Sequence, residues 1–442
     1  MNITSKHIYK LAIPAIISGI SEPILSLTDL AIIGNVKHHS VEALAAVGIV
    51  TTFISMLIWV FGQSRSAISS LVSQHLGAHK LDDIKTLPAQ VIVLLMVLSF
   101  LVIGFTFFLA SSIFRLYNAS ALILDYSVSY YQIRVFGFPF TLFTIAVFGV
   151  FRGLQNTKTP MVIAIVGTIV NIVLDYLLVY GVSGYFEGLH LEGAAYASVI
   201  AQLTMAVLSG YYMLKKTDIP LRIIRPIHPK IRTFLAMILN LFVRTLALNI
   251  ALYLATSFAT AYGKNYVSAY TIAINLWFFG AFFIDGFASA GNILSGKLYG
   301  AKEYELLLKL STQLMKYGLV VGLGIGTLGG VFYPYIGHLF TNDAGVYKEF
   351  YHIFWMVLAM QPLCALAFIF DGIFKGLGKM KTLRNVLLWS TFLVFLPAIL
   401  LTDIFDLKLH GILIAFTLWI VARGVPLIYI FKKEFRALAG NV

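Results

Sequence analysis

The sequence predicts an all-α integral membrane protein, with twelve transmembrane helices in two six-helix lobes related by a pseudo-two-fold axis along the membrane normal. Three observations carry this expectation. Of 442 residues, 59% are hydrophobic and only 12% charged, with a mean hydropathy of +0.88, whereas charged residues make up about a quarter of a soluble chain. Apolar stretches of about 20 residues, the length a helix needs to cross the hydrocarbon core, recur from end to end. The two halves of the chain also repeat one another at a fixed spacing.

Hydropathy and the Gly, Pro and charge breaks place the spans at 11–36, 44–72, 88–113, 123–150, 160–182, 192–214, 234–257, 265–295, 314–340, 348–374, 383–403 and 409–431. Strands of a membrane barrel would alternate apolar and polar residues over about ten positions, and no such pattern occurs. The first apolar segment begins near the N-terminus and no small-residue cleavage site follows a brief apolar core. It is expected to be a retained helix and not a signal peptide.

The net charge of +13 does not point to nucleic acid, because the basic residues fall in short clusters between apolar segments. Lys80, Lys85, Arg152, Lys158, the group from Lys215 to Arg232, Lys297, Lys302, Lys309, Lys375, Lys379, Lys381 and Arg384 all fall in alternate connections. That bias, shared by both ends of the chain, predicts cytoplasmic termini. The single Cys364 lies in an apolar run and leaves no disulfide framework or thiol metal site. The longest basic connection carries Pro220, Pro226 and Pro229. It divides the chain into an N-terminal lobe (1–214), a basic cytoplasmic linker (215–233) and a C-terminal lobe (234–442).

The repeat supports that division. Adding 223 to a residue number takes SAISSLVSQHLGA (66–78) onto SAGNILSGKLYGA (289–301), and FRGLQNTKT (151–159) onto FKGLGKMKT (374–382). Ala46 meets Ala269, Ile49 meets Ile272, Pro139 meets Pro362 and Gly149 meets Gly372. Gly, Pro and Lys matches at one offset over such a length indicate duplication. Six spans per half is an even number, so the halves share one orientation.

The copies differ where polar residues enter the membrane. Asp29, in LTDLAIIGN, maps to Leu252, Asn171 to Val394 and Asp175 to Ala398. A requirement of the fold would appear in both copies, so these residues are assigned to a function of the first lobe. Asn171 and Asp175, four residues apart, share one helix face. Asp29 lies at a similar depth on a span running the same way. Intramembrane acids are costly and mark ion or substrate pathways. Two of them near one amide and little water suit a site that loads and unloads a proton, or alternatively one that holds Na⁺. The competing reading pairs these acids with Arg65, Arg134, Arg244 or Arg423, which all fall in or at the edge of spans.

Glu22, nearly on the Asp29 face, is a candidate for the substrate cavity or for pairing with Arg244. Asp285, where the first half has Gly62, is a candidate cavity or ion-pair residue, and Asp371 is expected at the membrane interface. Pro14 and Pro23 both precede Asp29 and are candidate hinges in span one. His75 and His79 are expected in a solvated loop. The chain has no GxxxxGK[ST] phosphate loop and no His/Cys/carboxylate cluster with metal-site spacing, so transport would draw on an ion gradient and not on ATP. It is expected to be neither an enzyme nor a cofactor carrier.

The stretches LTDLAIIGN, FRGLQNTKTP followed by NIVLDYLLVYG, and LEGAAYASVIAQ together resemble the multidrug and toxic compound extrusion (MATE) family. NLFVRTLAL in span seven resembles its DinF-like branch. The resemblance covers essentially the whole chain and implies exchange of H⁺ or Na⁺ for organic, often cationic, compounds. It implies that Asp29, Asn171 and Asp175 form the coupling site, with a span-six hydroxyl from Ser198 or Tyr196, and that Arg244 marks the branch. Glu22 stands outside the family pattern. The reading is an exporter in the cytoplasmic membrane, a monomer among lipids with a small organic substrate and no nucleic-acid partner. A lipid-linked oligosaccharide flippase of related fold is the alternative, and a channel or receptor without coupled transport a third.

Overall fold

A computed structural model describes residues 4–34, 40–117, 119, 121–182, 185–222, 226–340 and 343–440. Its helices, in chain order, are α1 (Ser5–Ile33), α2 (Ser40–Gly62), α3 (Ser64–Gly77), α4 (Leu87–Leu116), α5 (Ala121–Arg134), α6 (Phe138–Gly153), α7 (Lys158–Tyr180) and α8 (His190–Lys216). They continue with α9 (Ile231–Ala261), α10 (Lys264–Gly300), α11 (Tyr304–Val331), α12 (Tyr333–Ile336), α13 (Ala344–Gly376), α14 (Met380–Trp389), α15 (Leu396–Ile404) and α16 (Lys408–Ala439). The described strands are β1 (Gly181–Val182) and β2 (Phe186–Glu187), which pair antiparallel between α7 and α8.

Eleven stretches among the described residues are long and apolar enough to cross a membrane, and α1, 29 residues long, supplies the first of the twelve expected spans. Several exceed their apolar core. The stretch expected at 44–72 runs from Glu42 to Gly77 through α2 and α3, because helix continues after hydrocarbon ends. His75 accordingly lies on α3 and not in a loop. The eleventh expected span is α14 and α15 joined by a π-helical stretch, Ser390–Phe395. Pro397 follows it and cannot donate to the helical ladder, and the wider turn absorbs the defect.

Local chemistry sets several helix ends. The Asp343 carboxylate accepts the backbone N–H of Gly345 and of Val346 at 2.9 and 3.0 Å, capping α13. Ahead of α7, Asn156 Oδ1 accepts the Thr159 N–H at 3.0 Å. The duplication reaches the backbone: His79 and Lys302 adopt left-handed φ values of 55° and 60°, and Gln155 and Gly378 values of 65° and 73°, each pair 223 residues apart.

By internal contacts the chain divides into two compact units. One comprises Ile17–Val72 and Lys80–Leu235. In it α7 packs on α8, α4 on α6, and α5 on α2, α4 and α8. The other comprises Met1–Ile16, Ser73–His79 and Ala236–Val442, with α13 at its centre against α10, α11 and α16. Close approach there requires glycine: a Cβ on Gly372 would sit 2.0 Å from the Ala288 carbonyl oxygen, and one on Gly376 2.2 Å from that of Asn292.

Candidate functional site

Helices α1, α5, α7 and α8 bring one polar cluster together inside the first unit. Asp29 comes from α1, Tyr130 and Arg134 from one face of α5, Asn171 and Asp175 from one face of α7, and Ser198 from α8. Asp29 is 4% exposed, Asp175 0%, Asn171 2% and Ser198 4%. The Asn171 amide donates to Ser198 Oγ at 3.3 Å. The Asp29 carboxyl reaches both the Asp175 carboxyl and the Ser198 hydroxyl. Arg134 acts on both acids electrostatically but forms no salt bridge with either among the described residues.

The arrangement leaves acceptors unpaired beside a guanidinium whose Nε and Nη1 are also unpaired. Asp29 Oδ1, both Asp175 oxygens and Asn171 Oδ1 are buried without a protein donor. A contact between two carboxyls becomes a hydrogen bond only when one of them carries a proton. A proton shared by the pair, or a hard cation held by oxygens, would fit this set of atoms. With both acids ionised the cluster holds two negative charges against the one positive charge of Arg134. One proton brings it to neutrality.

Tyr130 and Arg134 are the members that sequence reasoning missed or misassigned. Arg134 was expected only as a pairing partner. Tyr130, fully buried, turns its hydroxyl to the Arg134 guanidinium. On another side Arg134 borders a small recess with Gln202, Thr141 and Tyr131. A signal for both residues existed: at the offset of 223 they meet Ile353 and Val357, so this pair too belongs to one copy alone.

The structure separates the remaining candidates from this cluster. Between the two hydroxyls offered by span six, Ser198 is in the site, and Tyr196 is 44% exposed away from it. Arg244 lies in the other unit, where its Nη2 donates to both Asp371 oxygens at 2.6 Å. Asp371, expected at the membrane interface, is 8% exposed and takes Lys375 as a second partner at 3.3 Å. Its pairing removes the need for Glu22 as a partner of Arg244. Asp285 is exposed on α10 and forms no ion pair among the described residues. Pro14 is half-buried within α1, while the side chains of Glu22 and Pro23 lie outside the described residues.

A multi-pass helical fold with a buried polar cluster is the architecture of a membrane transporter. A model of the MatE family matches residues 14–177 and again 241–400, and the chain belongs to that family. The two matches end 223 residues apart (400 − 177), which is the offset of the repeat. The chain is 25% identical over 438 residues to the DNA damage-inducible protein F of Escherichia coli (strain K12), covering 98% of this chain and 93% of that one. It is 25% identical over 437 residues to the probable multidrug resistance protein NorM of Photorhabdus laumondii, covering 95% and 89%. A crystal structure of MATE in the bent conformation superimposes with a TM-score of 0.90 at 21% identity, covering 99% of this chain and 96% of that one.

Proposed function

We propose that the protein is a proton-coupled antiporter that exports organic compounds, cationic or amphipathic, across the cytoplasmic membrane by alternating access. The observation that carries this reading is the buried contact between Asp29 and Asp175 beside Arg134. Loading one proton switches the cluster between net charge and neutrality, and a coupling ligand can shift a conformational equilibrium only through such a difference between states. A cationic substrate neutralises the same negative charge, so proton and substrate exclude one another. Pro14 leaves α1 without one ladder hydrogen bond and serves as the hinge through which Asp29 acts. The relative named as a probable multidrug resistance protein supports small organic substrates.

Na⁺ is the second reading, favoured by the four acceptor oxygens, with Asp29, Asn171 and Asp175 as its holders. The fixed charge of Arg134 opposes a retained metal cation, which is why the proton is preferred. The flippase reading needs cations for a pyrophosphate, and at the Asp29 cluster the guanidinium of Arg134 stands among acids.

The test is flux of ethidium, a fluorescent organic cation, by the full chain in proteoliposomes. An imposed pH gradient is expected to drive ethidium uphill, with collapse on adding a protonophore. Uphill flux that follows only a Na⁺ gradient would transfer the role to Na⁺, and flux that follows neither gradient would overturn coupled transport.

A further inference from the structure

The C-terminal unit contains a buried charge cluster whose sign is opposite to that of the coupling site. Arg423, in the middle of α16, is 4% exposed. Its guanidinium carbon lies 4.7 Å from the centroid of a Trp419 ring and 5.8 Å from that of Phe368. Trp419 is itself fixed, because its Nε1–H donates to Thr391 Oγ1 at 3.0 Å, and Thr391 belongs to the π-helical stretch. Among the described residues no hydrogen bond or ion pair engages Arg423.

The titratable groups that face Arg423 are Arg244, Asp371 and Cys364. Asp371 is the one acid among them, and both of its oxygens are already taken, by Arg244 at 2.6 Å to each and by Lys375 at 3.3 Å. Three cations thus share one carboxylate, a surplus of two positive charges (3 − 1). Stacking on aromatic faces offsets part of the cost of a buried cation, but it leaves the N–H edge without an acceptor, and an uncompensated charge at membrane depth is costly. The cluster is not a requirement of the repeated fold either: at the offset of 223, Arg244 and Asp371 meet Ser21 and Phe148.

We propose that this cluster is a second ligand subsite, in which the free N–H edge of Arg423, supported by Arg244 and Lys375, receives the oxyanion group of an amphipathic molecule. A guanidinium fork binds a carboxylate, sulfonate or phosphate through two parallel hydrogen bonds. The half-buried Phe368 offers a ring to the apolar body beside that group. Lys375, whose side chain is 16% exposed, adds a second positive charge beside Asp371. The exporter thereby accepts molecules that carry a negative group, zwitterions included, and not organic cations alone. This inference concerns residues apart from the coupling site and is tested without any gradient, so it stands or falls separately from proton coupling.

The oxyanion can come from a soluble amphiphile or from a lipid headgroup, and two arms separate these sources. In the first, the full chain in phosphatidylcholine nanodiscs is titrated calorimetrically with 2-naphthoate and with its uncharged methyl ester. In the second, binding of phosphatidylglycerol is followed by native mass spectrometry. The acid is expected to bind at least about tenfold more tightly than the ester, with a loss of about tenfold or more in Arg423→Gln and a smaller loss in Arg423→Lys, which keeps the charge but not the fork. Phosphatidylglycerol binding that depends on Arg423 in the same way assigns the subsite to a lipid headgroup. Should Arg423→Gln not fold, Lys375→Gln is expected to weaken the acid by about threefold. Absence of binding in both arms, or binding that these substitutions leave unchanged, overturns the proposal.

Discussion

Asn171 on α7 donates its side-chain amide to the Ser198 hydroxyl on α8 at 3.3 Å, which ties two packed helices together beside Asp29 and Asp175. The bond uses the donor end of the amide and leaves its oxygen with the acceptor cluster. Ser198→Ala removes that tie and one neighbour of the Asp29 carboxyl. A net hydrogen bond contributes about 1 kcal/mol, so coupled ethidium flux should fall by roughly fivefold, and Ser198→Thr should retain it. Flux unaltered in Ser198→Ala would show that the tie has no part in coupling.

Tyr130 separates function from packing. Its ring is fully buried and its hydroxyl interacts with the Arg134 guanidinium, so Tyr130→Phe keeps the packing and removes one polar contact worth about 1 kcal/mol. The melting temperature in detergent should change little, while coupled flux falls. A marked drop in melting temperature would show the hydroxyl to be structural.

The Arg244–Asp371 pair yields a stability contrast. Asp371→Asn leaves a buried guanidinium without its carboxylate, a change that costs about 3–5 kcal/mol. Replacing both partners, as Arg244→Met with Asp371→Leu, should recover part of that loss, because the guanidinium is no longer left unpaired, while Lys375 and Arg423 still lose their carboxylate. Equal melting temperatures for the single and double variants would contradict the burial of this pair.

Two glycines test the helix contacts. A Cβ on Gly376 would meet Ser295 Oγ at 2.1 Å and the Asn292 carbonyl oxygen at 2.2 Å, whereas one on Gly324 meets nothing within 4 Å. Gly376→Ala should destabilise by about 1–3 kcal/mol and Gly324→Ala should stabilise by about 0.4–1 kcal/mol. Thermal unfolding of the two variants side by side checks both signs.

The spans and the repeat were legible in the sequence because bilayer thickness dictates the length of an apolar run, and because a duplicated gene leaves Gly and Pro where close approach demands them. Gly149 and Gly372 are such a pair. Asp29, Asn171 and Asp175 were legible as polar residues absent from the other copy. Tyr130 and Arg134 passed the same comparison, but a tyrosine and an arginine near a helix end also have ordinary interfacial roles, and only packing aims them at the acids. The ion pair of Asp371 was missed for a related reason: it lies five residues before Gly376, the end of α13, and no spacing in the chain shows that α9 brings Arg244 against it. The Arg423 stack depends on a tryptophan one turn away and a phenylalanine on another helix, and no spacing in the chain announces the second contact.

The most direct test of proton coupling is ethidium flux by Asp29→Asn in proteoliposomes under an imposed pH gradient. Asparagine keeps the size of the side chain and cannot release a proton. The variant should fold, bind ethidium more weakly because its cluster is fixed in the neutral state, and lose uphill flux. An Asp29→Asn protein that extrudes ethidium against its gradient at the wild-type rate would contradict a coupling role for Asp29.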